Sequence, residues 1–289
     1  MRWKIFYPVI LSLLLLASCQ KDPTGNKNTT DASTRLNLAY GPDVKQVMDA
    51  YLPANRTVAA TKIIVLIHGG SWISGDKTDL QPYIDSLKKR LPGYAIFNLN
   101  YRLSAMPLNI FPTQENDIKA ALGFIYNNAA NYLISDKYVL LGTSAGGHLA
   151  LLQGYKYTLP FIPKVIVSFS GPTDLIQMYN SPVGGNLIIT AGLTAAIGTT
   201  PSKDSLLYAR SSPINFISAV SPPTIFFQGG VDPLVSPIQA QEAHALLNEA
   251  SVANQYVFYP TAAHIGSWNN ATMFDAFNKM QAFIEANVL

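Results

Sequence analysis

One cysteine, Cys19, among 289 residues leaves nothing for it to pair with inside the chain. An intramolecular disulfide framework is excluded, and so are a thiolate-rich metal site and, beyond residue 19, a cysteine nucleophile. Charge is sparse as well, with Asp, Glu, Lys and Arg at only 13% against 48% hydrophobic residues. That balance excludes a disordered chain and supplies a large core. Basic clusters are short: the closest is Lys88-Lys89-Arg90, so a net charge of +3 is no nucleic-acid footprint. No group of His, Asp and Glu has metal-ligand spacing, and no G-x-G-x-x-G follows a strand. Neither a metal nor a cofactor is expected.

The N-terminus reads as an address. Arg2 and Lys4 precede an apolar run over 5–17, broken only by Pro8 and Ser12. The run is short of the roughly 20 residues a spanning helix needs and suits a signal segment. It ends in Leu16-Ala17-Ser18-Cys19, which resembles the lipobox of bacterial lipoproteins. The resemblance implies a signal peptide over 1–18, cleavage before Cys19, acylation of its thiol and a place on the membrane of the cell envelope. Losing Arg2 and Lys4 brings the net charge from +3 to +1. Residues 20–35 contain no large apolar side chain, so 19–35 is expected to be a solvated tether and 36–289 the folded domain.

From Leu36 onward short apolar runs alternate with amphipathic stretches. Segments 36–40 and 46–51 read as an opening antiparallel pair around Gly41-Pro42-Asp43. Further strands are expected at 62–67 (KIIVLI), 95–100, 138–141, 164–169, 224–227 and 256–259. Helical spacing covers 80–91, 115–132, 145–155, 237–249 and 273–288. The alternation implies an α/β fold, a mostly parallel sheet of about eight strands with helices on both faces. Residues 176–212 break the rhythm with scattered glycines and a Thr199-Thr200-Pro201 turn, and are expected to form a short cap over the carboxyl edge of the sheet.

Gly142-Thr143-Ser144-Ala145-Gly146 follows the strand at 138–141 and opens an Ala/Leu-rich helix. A G-x-S-x-G between strand and helix is a nucleophile elbow, its small residues needed where strand and helix approach closely. Upstream, the strand at 62–67 runs into His68-Gly69-Gly70-Ser71-Trp72, whose glycines let a loop fold back with free N–H groups. The N–H groups of Gly70, Ser71 and Ala145 are the candidate oxyanion donors, with the choice of two among the three left open. A serine needs a base. His68 reads as a brace for its loop, His148 follows the helix away from the elbow, and His244 lies inside a helix. His264, in the loop after the last strand, is the candidate base. Asp232, after the strand at 224–227, is favoured over Asp174 as the group that orients it, and Asp174 reads as a helix cap. Asp76 and Arg102 read as loop-bracing residues. Trp72 and Trp268 flank the site in sequence, either as ring platforms or as packing.

These pieces carry a resemblance. The chain from about Leu36 on is similar to the α/β-hydrolases, within them to hormone-sensitive-lipase-like esterases and more closely to BD-FAE-type carbohydrate esterases. The matching residues are Asp49-Ala50-Tyr51-Leu52-Pro53, HGGSW at 68–72, Gly75-Asp76-Lys77, Asn100-Tyr101-Arg102-Leu103, Phe111-Pro112 with Asp117, GTSAGGH at 142–148, Ser212-Pro213, Pro222-Pro223, 229–232 and His264. Ser71 stands where many relatives have a third glycine, and Ala263 where they often have glycine before the base. The resemblance implies a serine carboxylesterase with the chain order Ser144, Asp232, His264, acting on short acyl esters such as acetyl or feruloyl esters of carbohydrates. The alternatives are an arylformamidase or a peptidase-like amide hydrolase on the same triad, and a non-catalytic tethered binding protein.

Overall fold

The computed structural model describes residues 30–158 and 161–289. The expected signal peptide, Cys19 and the tether up to residue 29 lie outside the described residues. Among the described residues eight strands form one sheet: β1 (Ser33–Ala39), β2 (Val47–Leu52), β3 (Lys62–Ile67), β4 (Tyr94–Leu99), β5 (Tyr138–Thr143), β6 (Val165–Phe169), β7 (Thr224–Gly229) and β8 (Asn254–Tyr259). Their order across the sheet is β1-β2-β4-β3-β5-β6-β7-β8. β1 and β2 run antiparallel to their neighbours, and the pairings from β4 to β8 are parallel.

The helices are α1 (Gln81–Arg90), α2 (Thr113–Asn127), α3 (Ala129–Tyr132), α4 (Ala145–Lys156), α5 (Leu175–Asn180), α6 (Leu187–Ile197), α7 (Ser205–Arg210), α8 (Pro237–Glu249) and α9 (Asn270–Asn287). Alternation along the strands divides the core in two. Ile63, Val65 and Ile67 of β3 face one side with Leu122 of α2, Leu149 of α4 and Leu247 of α8. Ile64 and Leu66 face the other, with Leu87 of α1 and Phe277 of α9. Strands buried on both faces read as unbroken apolar runs, which is why KIIVLI was legible without a period of two.

Several boundaries differ from the sequence reading. The first strand begins at Ser33 rather than Leu36, because Ser33, Thr34 and Arg35 pair with Leu52, Tyr51 and Ala50. The helix expected over 115–132 is broken at Asn128, whose side chain donates to Phe124 C=O at 2.9 Å and competes with the helical ladder. The 176–212 segment is largely helical, carrying α5, α6 and α7.

Candidate active site

The elbow forms because β5 must turn into α4 within one residue. Ser144 takes the turn at φ 52°, ψ −120°, a conformation that costs a non-glycine residue about 1–3 kcal/mol. Its flanking glycines answer to contact: a Cβ on Gly142 would lie 2.1 Å from Gly146 C=O, and one on Gly146 2.0 Å from Ile67 C=O. Ser144 N–H donates to Phe169 C=O at 2.7 Å, and its own C=O accepts from His148 N–H at 3.0 Å. The side chain is left half-buried at the carboxyl edge of the sheet.

The HGGSW loop after β3 packs against this elbow. It holds three successive positive φ values, +105° at Gly70, +53° at Ser71 and +62° at Trp72. Gly70 C=O accepts from Ile73 N–H at 3.1 Å and from Ser74 N–H at 2.9 Å, closing the turn. Among the described residues the N–H groups of Gly70, Ser71 and Ala145 donate to no protein acceptor. His68 braces the loop, as read from the sequence. Its ring stacks on Tyr101 at 4.3 Å, and Nδ1–H donates to Gly69 C=O at 2.7 Å. Burial lowers its pKa.

A second brace was missed. His148 is fully buried under the loop rather than carried away along α4. Its Nδ1 accepts from Trp72 Nε1–H at 3.2 Å and its Nε2–H donates to Ser211 C=O at 2.7 Å. Burial holds it neutral, with its pKa lowered to about 4. Ser104 adds a parallel tie: its N–H donates to Trp72 C=O at 2.9 Å and its hydroxyl to Ala195 C=O of α6 at 2.8 Å. Phe111 N–H donates to the next carbonyl of α6, Ala196, at 2.8 Å. The loop is thereby fastened to the cap. The signal in the sequence was slight: a His four residues after the elbow serine and a Trp at the end of HGGSW.

On the other side of Ser144, Asp232 and His264 meet. His264 Nδ1–H donates to Asp232 Oδ2 at 2.7 Å. The carboxylate is fully buried, and the imidazole keeps 15% of its side-chain surface. Asp232 Oδ1 accepts from Leu234 N–H at 2.8 Å and Val235 N–H at 2.9 Å, and Gln228 Nε2–H reaches Oδ2 at 3.2 Å. Burial, the largest influence, pushes its pKa up. The hydrogen bond and charge of His264 together with the two backbone donors outweigh it, leaving the carboxyl below its ordinary range. With Nδ1 committed to the carboxylate, Nε2 is the free nitrogen.

The loop after β8 reaches back over β7. A Cβ on Gly229 would lie 2.1 Å from Ala263 C=O, and Val231 N–H donates to Ala262 C=O at 3.1 Å. Trp268 packs edge-on against Phe169 at 6.0 Å, the residue whose carbonyl holds Ser144 N–H. His264 is carried toward the elbow by this return. Among the described residues no hydrogen bond joins Ser144 Oγ to His264 Nε2, a contact that commonly tightens only when substrate is bound.

The rivals are occupied elsewhere. Asp174 caps α5, accepting from Ile176 and Gln177 N–H at 2.9 and 3.0 Å. His244 bonds Asn254 and Asn248. Trp72 and Trp268 are packed, with 3% and 8% exposure and both indole N–H groups bonded inside the protein, so neither is a free platform. Arg102 grips Asp117, with Nη2 2.6 Å from Oδ1, and Asp76 caps a short 3-10 helix while accepting from Asn100 Nδ2 at 2.8 Å. Sequence reasoning did not find that Lys77, next to Asp76, forms a buried ion pair with Asp49 of β2 at 2.7 Å. Among the described residues no cluster of His, Cys, Asp and Glu has the form of a metal site.

The family model described as BD-FAE matches residues 48–247. Over 191 residues, 62% of the chain, it is 28% identical to the probable carboxylic ester hydrolase LipM of Mycobacterium tuberculosis, and it spans 43% of that protein. Among solved structures it superposes on a truncated carbohydrate esterase from gut microbiota with a TM-score of 0.75 and 22% identity, covering 90% of this chain and 97% of that one. A bifunctional GH43-CE of Bacteroides eggerthii gives a TM-score of 0.73 at 26% identity over 86% of this chain and 38% of that one. The eight-stranded sheet is an α/β-hydrolase sheet, and with the family model spanning β2 through α8 the chain belongs to the BD-FAE family.

Proposed function

We propose that this protein is a serine carboxylic ester hydrolase that removes short acyl groups from carbohydrate esters. The single observation that carries the reading is the Asp232–His264 pair, bonded at 2.7 Å, at the sheet edge where the strained Ser144 is presented. Ser144 Oγ attacks the ester carbonyl carbon while His264 Nε2 takes its proton, and Asp232 holds the imidazole and stabilises its cation. The carbonyl oxygen becomes an oxyanion, received by two of the N–H groups of Gly70, Ser71 and Ala145. Collapse breaks the bond to the alcohol, which leaves with the proton from His264. Water then attacks the acyl-enzyme, His264 takes its proton and returns it to Ser144 Oγ, and the free acid departs.

The preference for short acyl groups has support in the cap. Ile189, Leu193, Ala196 and Ile197 of α6 are spent in the core, so the outward apolar surface of this helix comes down to Leu187 and Ile188, a short patch for a long tail. Each tail CH₂ would need burial worth about 0.8 kcal/mol to bind well. The likeness to a carbohydrate esterase supports the alcohol half. We also propose that acylated Cys19 anchors the protein at the cell envelope, so that the substrate arrives there as a soluble acylated saccharide.

Hydrolysis of 4-nitrophenyl acetate, butyrate and octanoate, with acetate release from acetylated xylan, tests the substrate. Acetyl esters are expected to lead. Rates rising toward octanoate with no acetate from xylan refute the substrate class, and activity confined to aryl formamides moves the protein to amide hydrolysis. Detergent-phase partitioning of the full chain, abolished by Cys19→Ser, tests the anchor.

A further inference from the structure

Apart from the triad, the face built by α1 and α9 carries a groove of about 490 Å³. Both helices start at the carboxyl edge of the sheet, so the groove runs from that edge down the protein's side. Its mouth is formed by Gly266, two residues past His264, and by Asp79, three residues past Asp76 on the segment leaving the HGGSW loop. Gly266 has open space around it. From Pro82 to Arg90 the wall extends about 12 Å at the helical rise.

The lining combines ring faces with unused polar groups. Phe274 is 64% exposed, a large aromatic left in water. Tyr83 stacks on Phe277 at 5.6 Å, and the Arg90 guanidinium lies 5.1 Å from the Phe274 ring centre. Asp79 spends Oδ2 on Asp76 N–H at 3.0 Å. Among the described residues its Oδ1, Ser86 Oγ and the Asn270 amide have no hydrogen-bond partner, although all line or border the groove.

We propose that this groove binds the saccharide portion of the ester, an inference that rests on the hydrolase reading above. The alcohol must leave with the proton that His264 delivers, so the alcohol half of the substrate lies on the His264 side of Ser144, where the groove opens. A pyranose chain presents C–H faces to aromatic rings and hydroxyls to carboxylate, amide and guanidinium groups in alternation. An alkyl or aryl group would cover the rings but strand Asp79 Oδ1, Ser86 Oγ and the Asn270 amide without water, a desolvation that opposes binding, whereas Arg90 already donates to Asn278 and Gln281 of α9.

Binding is measured without turnover, on Ser144→Ala protein titrated with unacetylated xylohexaose, cellohexaose and mannohexaose by calorimetry. At least one is expected to bind. Adding Phe274→Ala should weaken it about five- to tenfold, the scale of one aromatic contact at 1.4 kcal/mol per tenfold, while Phe274→Tyr restores it. In the Ser144 protein, Phe274→Ala should lower the ratio of kcat/KM on acetylated xylohexaose to that on 4-nitrophenyl acetate, through KM. Binding of none of the three saccharides, or binding that Phe274→Ala leaves unchanged, overturns the groove while 4-nitrophenyl acetate hydrolysis leaves the hydrolase reading intact. Saccharide binding by a protein that hydrolyses no ester overturns the hydrolase reading and leaves the groove standing.

Discussion

Replacing Asp232 with Asn should remove nearly all activity, and the structure says how. Oδ1 of Asp232 accepts two backbone N–H groups, from Leu234 and Val235. An asparagine keeps those bonds only by placing its oxygen there, which turns its NH₂ toward His264 Nδ1. That nitrogen must then accept, so the proton moves to Nε2 and the imidazole can no longer take one from Ser144. The wrong tautomer is expected to cost about 10⁴ in kcat, or about 5.4 kcal/mol of barrier. Stability should fall less, by about 1–3 kcal/mol, as a charge-assisted bond becomes neutral and Gln228 Nε2–H faces an amide donor. The folded-state pKa of Asp232 is depressed, so its contribution is fully present above the ordinary carboxylate value of 3.8 and is lost as pH falls through the lower folded value. The gap between wild type and Asp232→Asn should therefore narrow below about pH 3.8. The assays are kcat on 4-nitrophenyl acetate and urea unfolding across pH. Asp174→Asn is the control: asparagine caps a helix as well as aspartate, so stability should move by less than about 0.5 kcal/mol and turnover should be retained. An Asp232→Asn enzyme keeping more than about a tenth of wild-type kcat, a loss below 1.4 kcal/mol, or an Asp174→Asn enzyme that is the worse of the two, would refute the reasoning.

Ser144→Gly and Ser144→Ala should both be inactive, yet the glycine variant should unfold at higher urea by about 1 kcal/mol, because only it relieves the backbone at φ 52°; equal midpoints would deny the strain. His148→Ala strands Trp72 Nε1–H and Ser211 C=O in a dry site, at about 1–3 kcal/mol each, and should lower kcat by loosening the oxyanion loop. Unchanged kcat in a folded variant would show that the loop holds itself. Lys77→Met leaves Asp49 buried without its cation and should cost about 3–5 kcal/mol, much of it recovered in the Lys77→Met, Asp49→Leu double variant. Thermal unfolding of the three proteins decides this.

The parallel core was legible because its strands are continuous apolar runs, and β3 and α8 fall on the residues the pattern marks. β5 runs two residues further than its apolar run because Gly142 and Thr143 still pair with Ser168 and Phe169. The elbow, His264 and Asp232 were legible because each sits just past a recognisable strand. Contacts between distant segments were not. Lys77 and Asp49 are 28 positions apart, and nothing in a local pattern says that a lysine beside a loop aspartate enters the core. α6 was hidden by its composition: LIITAGLTAAI has no polar stripe to betray a helical period. Only packing divides it into an inward Ile189, Leu193 and Ala196 and an outward Leu187 and Ile188.

The ties from α6 to Ser104 and Phe111, and from Ser104 onward to Trp72, also bear on how specificity could diversify in such a scaffold. A cap that touched only substrate could be exchanged between relatives like a cartridge. Here its backbone carbonyls anchor the HGGSW loop, so on the proposed oxyanion role of that loop a transplanted or lengthened cap inherits responsibility for turnover as well as for selectivity. Grafts that keep carbonyls in the places of Ala195 and Ala196 would preserve the catalytic frame. Those that shift the helix by one residue would rotate both acceptors away and trade rate for a new pocket.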